Sequence, residues 1–138
     1  MTSRIPEKGE VIAYPYLWRR EQLAGETEGR KDRPVCLTLS VQREGGLHIY
    51  LLAITSKSPQ SDQLAIEIPQ LELARAGLST DYPSWIILDE YNRDVLEDTF
   101  YLDVNEPPLG SVSQMFLKKV QHHLLESITQ GATEVDRS

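Results

Sequence analysis

One cysteine is all that this chain of 138 residues holds. A lone Cys36 excludes an internal disulfide framework, and its place in an apolar stretch reads as a small, inert core residue. Histidine is nearly as scarce: His48 falls mid-strand, and His122 and His123 are neighbours on the last predicted helix. Adjacent helical residues point about 100° apart, so that pair cannot face one ion together, and no metal site is expected. A phosphate-binding glycine loop, a G-x-S-x-G elbow and a Cys-pair motif are all missing, and no cofactor is expected. No run approaches the ~18–20 apolar residues of a membrane span, so no membrane partner is expected. Met1-Thr2-Ser3-Arg4-Ile5-Pro6 lacks the apolar centre of a signal peptide, which predicts a cytoplasmic protein. The chain shows no internal repeat and no low-complexity segment. Its length suits one domain over 1–138, with 1–8 and 132–138 as loose termini.

Positive charge is also short: 14 basic residues stand against 21 acidic ones, a net −7. A nucleic-acid binder usually shows a net basic patch, so any such patch here must be local. The distribution allows one. Residues 1–40 carry seven basic and six acidic groups, and Arg19, Arg20, Arg30, Lys31 and Arg33 all fall around the first long loop. Residues 81–106 carry Asp81, Asp89, Glu90, Asp94, Glu97, Asp98, Asp103 and Glu106 against Arg93 alone.

What the sequence does have is a clear β-hairpin. One arm is Arg33–Val41, the other Leu47–Ser56, and Gln42–Gly46 between them is polar and glycine-bearing. With the turn near Glu44-Gly45, opposed residues have numbers that add to roughly 88–90 in an antiparallel ladder. Arg33 then lies level with about Thr55–Lys57. A guanidinium, the hydroxyls of Thr55 and Ser56 and the ammonium of Lys57 meet at one edge of the sheet. An anion such as a phosphate suits that cluster, because arginine offers a planar fork of donors. The plainer alternative is a solvated Arg33 at a strand end and a turn starting at Thr55-Ser56.

Four pieces carry a family resemblance. They are Gly9-Glu10-Val11-Ile12, Gly29-Arg30-Lys31-Asp32-Arg33-Pro34-Val35, Ala53-Ile54-Thr55-Ser56 and Trp85-Ile86-Ile87-Leu88-Asp89. Their order and spacing resemble the PemK/MazF-like toxins of the Kid/CcdB superfamily. The resemblance implies a mainly β fold with a C-terminal α-helix, a small SH3-like antiparallel β-barrel, and a homodimer. It implies the toxin of a type II toxin–antitoxin system, a sequence-specific endoribonuclease that cleaves single-stranded RNA without a metal. The partners implied are single-stranded RNA and a cognate antitoxin protein; DNA binding is left open. It marks Arg33, Thr55 and Asp89 as catalytic: Arg33 for phosphate stabilisation and proton donation, Thr55 with Ser56 for orientation, Asp89 as a proton acceptor. Asp89 also reads as a strand-terminal turn cap. Ser56, Lys57, Arg19, Arg20, Arg30 and Lys31 are the substrate-binding candidates. Two departures stand out: Ile87 where some relatives have arginine, and no histidine in the first long loop. The alternative is a non-catalytic barrel that binds a protein, either an antitoxin or a topoisomerase-type target.

Along the rest of the chain, Glu10 to Trp18 read as a first strand that Pro15 confines to an edge or ends early. Arg19 to Asp32 reads as a long mobile loop. Tyr14, Tyr16 and Trp18 suit base stacking or core packing. Leu64 to Pro69 reads as a short strand with Leu64, Ile66 and Ile68 on one face, and Gln70 to Ala76 as two helical turns stopped by Gly77. Trp85–Leu88 reads as a buried strand, Asp89–Arg93 as polar chain leaving it, and Thr99–Val104 as another strand. Ser111 with Gln114 suits a capping box. Val112, Phe116, Val120, Leu124 and Ile128, widened by Leu117, form the stripe of an amphipathic helix that Gly131 stops.

Overall fold

The computed structural model describes residues 5–26, 31–99 and 101–138. In chain order the elements are β1 (Glu10–Tyr14), α1 (Arg19–Leu23), β2 (Arg33–Arg43), β3 (Gly46–Thr55), β4 (Ala65–Glu67), α2 (Gln70–Arg75), β5 (Trp85–Ile87), β6 (Glu90–Val95), β7 (Gly110–Ser111), α3 (Gln114–Thr129) and β8 (Thr133–Asp136). Among the described residues these make one open, mainly antiparallel sheet of eight strands with a long helix near the C-terminus. No helix among them is long and apolar enough to cross a membrane.

The hairpin of β2 and β3 is the centre of the sheet. Gly45 and Gly46 take positive φ values of 96° and 134°, which turns the chain after Arg43. From the turn the pairs run Arg43↔Gly46, Val41↔His48 and Leu39↔Tyr50; beyond a bulge between Leu37 and Leu39 they run Leu37↔Leu51, Cys36↔Leu52 and Val35↔Ala53. This is the expected register. The bulge removes one residue, Thr38, from the ladder. Thr38 is buried, and its carbonyl accepts a bond from Gln121 Nε2 on α3 at 2.9 Å. So the bulge is also where the helix is fastened to the sheet.

Both faces of the hairpin are covered, which is why its strands are nearly continuous in apolar residues. On one face Val11, Cys36, Tyr50, Leu52 and Ile54 pack under Phe116, Leu117, Val120 and Leu124 of α3. On the other, Ile12, Val35, Leu37, Ile49, Leu51 and Ala53 pack with Tyr14, Tyr16 and Trp18. Burial pushes the Cys36 thiol up to about 11, in keeping with an inert core residue. β1 pairs with β2, and its other edge takes β7. The far edge of β3 is shared: His48–Leu51 pair with β6, and Ile54–Thr55 pair with β5.

The helix stripe runs through Phe116, Leu117, Val120 and Leu124 as expected, with Ile128 only partly buried; Val112 is buried but lies before the helix, not in it. Its cap is not Ser111 but Ser113, whose Oγ accepts from Phe116 N at 3.1 Å. Ser111 is instead drawn into β7 by pairing with Glu10. Glu72 of α2 supports the cap, accepting from Ser113 N at 2.8 Å and Ser113 Oγ at 2.7 Å.

Several other expectations are corrected. β1 ends at Tyr14, before Pro15, and not at Trp18. Within the expected loop Arg19–Asp32, residues Arg19–Leu23 form one short helix, whose entry is held by Trp18 N donating to Glu21 Oε1 at 3.0 Å. Leu64 is exposed, while Ile68 is buried. Asp89–Arg93 do not leave the sheet: Glu90–Val95 is β6. Residues 99 and 101–104 form no strand.

The largest correction is the tail. Residues Thr133–Asp136 are β8, paired in parallel with β6, and Val135 is fully buried. Arg137 follows it into the interior, donating to Pro15 O at 2.7 Å and lying 4.0 Å from the Tyr101 ring centroid. A polar tail with one apolar residue carries no strand pattern; its order comes from partners distant in sequence.

Candidate functional site

Arg33 is the first residue of β2 and Thr55 the last of β3. Continuing the ladder outward from Val35↔Ala53 brings the two level at the open end of the hairpin. There Arg33, Thr55 and Ser56 form a wall shared by two clefts. The smaller, about 260 Å³, continues along Lys31 and Tyr82. The larger, about 580 Å³, continues along Trp18, Arg20, Lys57, Gln60 and Gln63. Local bonding shapes the rim. Thr55 Oγ1 accepts from Lys57 N at 3.0 Å, turning the chain so that Ser56 and Lys57 stay at the cleft. Gln63 Oε1 accepts from Gln60 N at 2.9 Å and closes the next turn.

Trp18 organises the cations. It is 5% exposed and meets the Tyr16 ring edge-on, with centroids 4.9 Å apart. The guanidinium carbons of Arg20 and Arg33 lie 5.0 Å and 5.5 Å from its ring centroid. Each such contact contributes about 0.5–1 kcal/mol at an exposed site and gives a mobile arginine a preferred position. Its indole Nε1 has no hydrogen-bond partner among the described residues.

Of the residues expected at a site, Arg33, Thr55, Ser56, Lys57, Lys31 and Arg20 therefore line one or both clefts. Arg19 does not. Its backbone N donates to Glu90 Oε2 at 3.0 Å and its Nη1 to Gln22 Oε1 at 3.3 Å. Asp89 lines neither cleft; it is half-buried at the bend between β5 and β6, and its carbonyl accepts from Thr133 N at 3.0 Å. Arg30 lies outside the described residues. Ile87, the position where some relatives of the resembled family have arginine, lines the larger cleft as an apolar side chain.

In the sequence Glu90 reads as polar chain within the acidic segment 81–106. Its Oε2 accepts from Tyr16 OH at 3.2 Å and from Arg19 N at 3.0 Å. Burial raises its carboxyl above the usual range and the nearby Asp89 adds to this, against the Arg19 and Tyr16 bonds and the charge of Arg20. Burial, and after it the same Glu90 contact, push the Tyr16 phenol well above its ordinary value. Glu90 is thus a carboxylate within electrostatic reach of a cleft-lining arginine. A polar pair at a strand end offers no sequence signal for that.

The local charge is opposite to the overall one. Among the described residues lining the two clefts, Asp32 alone is acidic, against Lys31, Arg33, Arg20 and Lys57. None of the acidic side chains of 81–106 lines either cleft. Asp94 is fully buried, accepting from Tyr14 OH at 2.8 Å and Thr99 Oγ1 at 2.6 Å. Glu97 is turned to the hairpin, accepting from Leu47 N at 3.0 Å. The histidines lie elsewhere: His48 Nδ1 accepts from Arg93 Nη1 at 2.8 Å, and His122 Nε2 meets Glu126 Oε1 at 2.6 Å.

No protein-family model matches this chain, and no curated protein matches it. The clefts must therefore be read by their chemistry. Four cations, the wall hydroxyls of Thr55 and Ser56 and the exposed ring of Tyr82 suit an anionic ligand with planar groups.

Proposed function

We propose that this chain is a PemK/MazF-like toxin: a metal-independent endoribonuclease that cleaves single-stranded RNA, acts as a homodimer in the cytoplasm and is restrained by a cognate antitoxin. The observation that carries the reading is the shared Arg33–Thr55–Ser56 wall between two basic clefts. A resemblance of short motifs pointed to those three residues; the hairpin register brings them together. The pairing of β5 and β6 one after the other along β3 is compatible with the SH3-like barrel of that family.

In this reading the ribose 2′-OH attacks the adjacent phosphorus while its proton passes to a base. The P–O5′ bond breaks, leaving a 2′,3′-cyclic phosphate and a 5′-OH that takes a proton from an acid. Arg33 stabilises the charge that builds on the phosphoryl oxygens and supplies the leaving-group proton. Thr55 and Ser56 orient the phosphate by hydrogen bonds. Lys31, Lys57 and Arg20 hold flanking phosphates. The base marked by the resemblance is Asp89; neither it nor its neighbour Glu90 lines a cleft, so in this reading the 2′-OH proton reaches the β5–β6 carboxylates through water.

The test is cleavage of a long single-stranded RNA in EDTA by the wild type beside Arg33→Ala and Thr55→Ala, with the 5′ ends mapped. Cleavage at a recurring short sequence, lost in both variants, supports the reading. Absence of cleavage by folded wild type across several RNAs sinks it. The net charge of −7 favours the second reading in that event: a non-catalytic barrel that binds an antitoxin or a topoisomerase-type protein.

A further inference from the structure

We propose that the Arg33–Thr55–Ser56 wall divides the groove into two unequal subsites, which read the bases on opposite sides of the cleaved phosphate. Tyr82 is the reader in the smaller subsite and Gln63 the reader in the larger. The inference rests on the ribonuclease reading and deepens it.

The geometry that supports it is the sharing of one wall. A phosphate held by Arg33, Thr55 and Ser56 sits between the two clefts, so the nucleosides joined to it fall one into each. Their sizes differ. The larger, about 580 Å³, lies inside the ~300–1,000 Å³ range of small-ligand sites, and the smaller, about 260 Å³, lies just below it. The larger accommodates a nucleoside with its next phosphate, for which Lys57 and Arg20 are at hand. The smaller has room for a base.

The chemistry of the two linings differs as well. Tyr82 is 51% exposed, the one aromatic among the exposed large hydrophobic side chains of the described residues, and it lies along the smaller cleft. An exposed ring beside a phosphate-binding wall is a stacking platform, and stacking tolerates any base. In the larger cleft the Trp18 ring is buried and carries two guanidinia, so it is not such a platform. Beside the cations and the hydroxyls of Thr55, Ser56 and Ser58, its lining carries the side-chain amides of Gln60 and Gln63. The Gln63 carbonyl is engaged by Gln60 N, which fixes the amide plane and leaves its NH₂ to donate. A fixed donor selects a base edge that presents an acceptor. One side of the bond is therefore held by a tolerant stack and the other by a selective hydrogen bond.

The experiment is cleavage of a random-sequence single-stranded RNA pool, with both new ends sequenced, by the wild type, Gln63→Ala, Tyr82→Ala and Tyr82→Phe. Gln63→Ala is expected to flatten the base preference on one side of the cut by roughly 2–10-fold, the range of one net hydrogen bond, and to leave the other side unchanged. Tyr82→Ala is expected to lower kcat/KM by roughly 5–150-fold, the range of one lost base stack, with the Gln63-side preference intact; Tyr82→Phe restores it. Tyr82 is exposed and Gln63 half-buried in a turn, so both variants are expected to fold, which circular dichroism checks. Active wild type whose preference is unmoved by Gln63→Ala, or moved on the same side by both alanine variants, overturns the two-subsite division and leaves the ribonuclease reading standing. No cleavage by the wild type overturns both.

Discussion

At the open end of the hairpin, Arg33, Arg20, Lys31 and Lys57 line space; along β6, Asn92, Asp94 and Arg137 fill it. The two regions hold the same kinds of group and use them oppositely. Asn92 is fully buried, accepting from Leu17 N at 2.9 Å and donating to Leu17 O at 2.8 Å. Arg137 reaches Asn92 Oδ1 at 3.2 Å and lies 5.4 Å from the Tyr14 ring centroid. Buried polar groups are tolerable only when every member has a partner, so this network specifies one arrangement of β1, β6 and β8. Of the cleft cations, Arg20 and Arg33 have aromatic support from Trp18, and Asp32 is the one acidic residue among the described residues that line the clefts. Polar groups satisfied inside the fold hold it together; those left facing a cleft are available to a ligand.

That contrast is open to direct attack. The largest effect is expected from Arg137→Ala, which removes the bonds of a buried guanidinium to Pro15 O and Asn92 Oδ1. At ~1.5–3 kcal/mol for each hydrogen bond to a charged group, the loss of these two is about 3–6 kcal/mol, read as a lower denaturation midpoint in urea. Activity per folded molecule should hold. Arg33→Ala should do the reverse: about 10²–10³-fold less RNA cleavage, the usual loss for one preorganised donor to transition-state charge, with Tm nearly unchanged. A large fall in Tm for Arg33→Ala with cleavage intact would erase the distinction between the two regions.

A middle-sized effect is expected at the α2–α3 junction. Ser113→Ala removes both the cap of α3 and a partner of Glu72, which should cost about 1–2 kcal/mol in equilibrium unfolding. The same site carries a pH signature. Burial alone would raise the Glu72 carboxyl, but the two Ser113 bonds and Arg75 outweigh it and hold the group below its usual range. A depressed folded pKa contributes stability that is present above the unfolded value of about 4.3 and is lost as pH falls through the folded one. Glu72→Gln should therefore flatten the acid limb of a Tm–pH curve.

The smallest effect, and the one that sharpens the comparison most, is expected at Glu90, which lies where the two regions meet. Its folded pKa is raised, so its contribution is greatest below the unfolded value and declines as pH rises through the folded one. Glu90→Gln should leave Tm unchanged near pH 4 and raise it slightly at pH 7. If Glu90 is also the base, the same substitution removes cleavage at neutral pH while Asp89→Asn spares it. The opposite pattern would return the role to Asp89.

Much of the hairpin and its site was legible in the sequence, because both are local. The turn residues, the apolar arms and antiparallel counting place Arg33 beside Thr55 without reference to anything else in the chain. The α3 stripe was legible for the same reason, while its cap was misplaced by two residues because Ser111 is taken by pairing with Glu10. Glu90 and Tyr82 carried no signal. A polar residue after a strand and a tyrosine in a turn are ordinary until a fold brings them near a basic cleft.

The amino-acid sequence by itself determined the hairpin and its register, the buried run of β5, the amphipathic helix, the inert Cys36 and the cluster of Arg33, Thr55, Ser56 and Lys57 at one strand edge. Each follows from periodicity, turn chemistry or neighbours close along the chain. Tertiary structure alone decided that Glu90–Val95 is a strand, that residues 133–136 complete the sheet, and that the acidic segment stays out of the clefts. Those outcomes depend on partners far apart in sequence: Tyr14 with Asp94, Pro15 with Arg137, Thr133 with Asp89. A polar strand has no periodic apolar face to announce it, and it becomes ordered only when distant groups satisfy the hydrogen bonds that water would otherwise take.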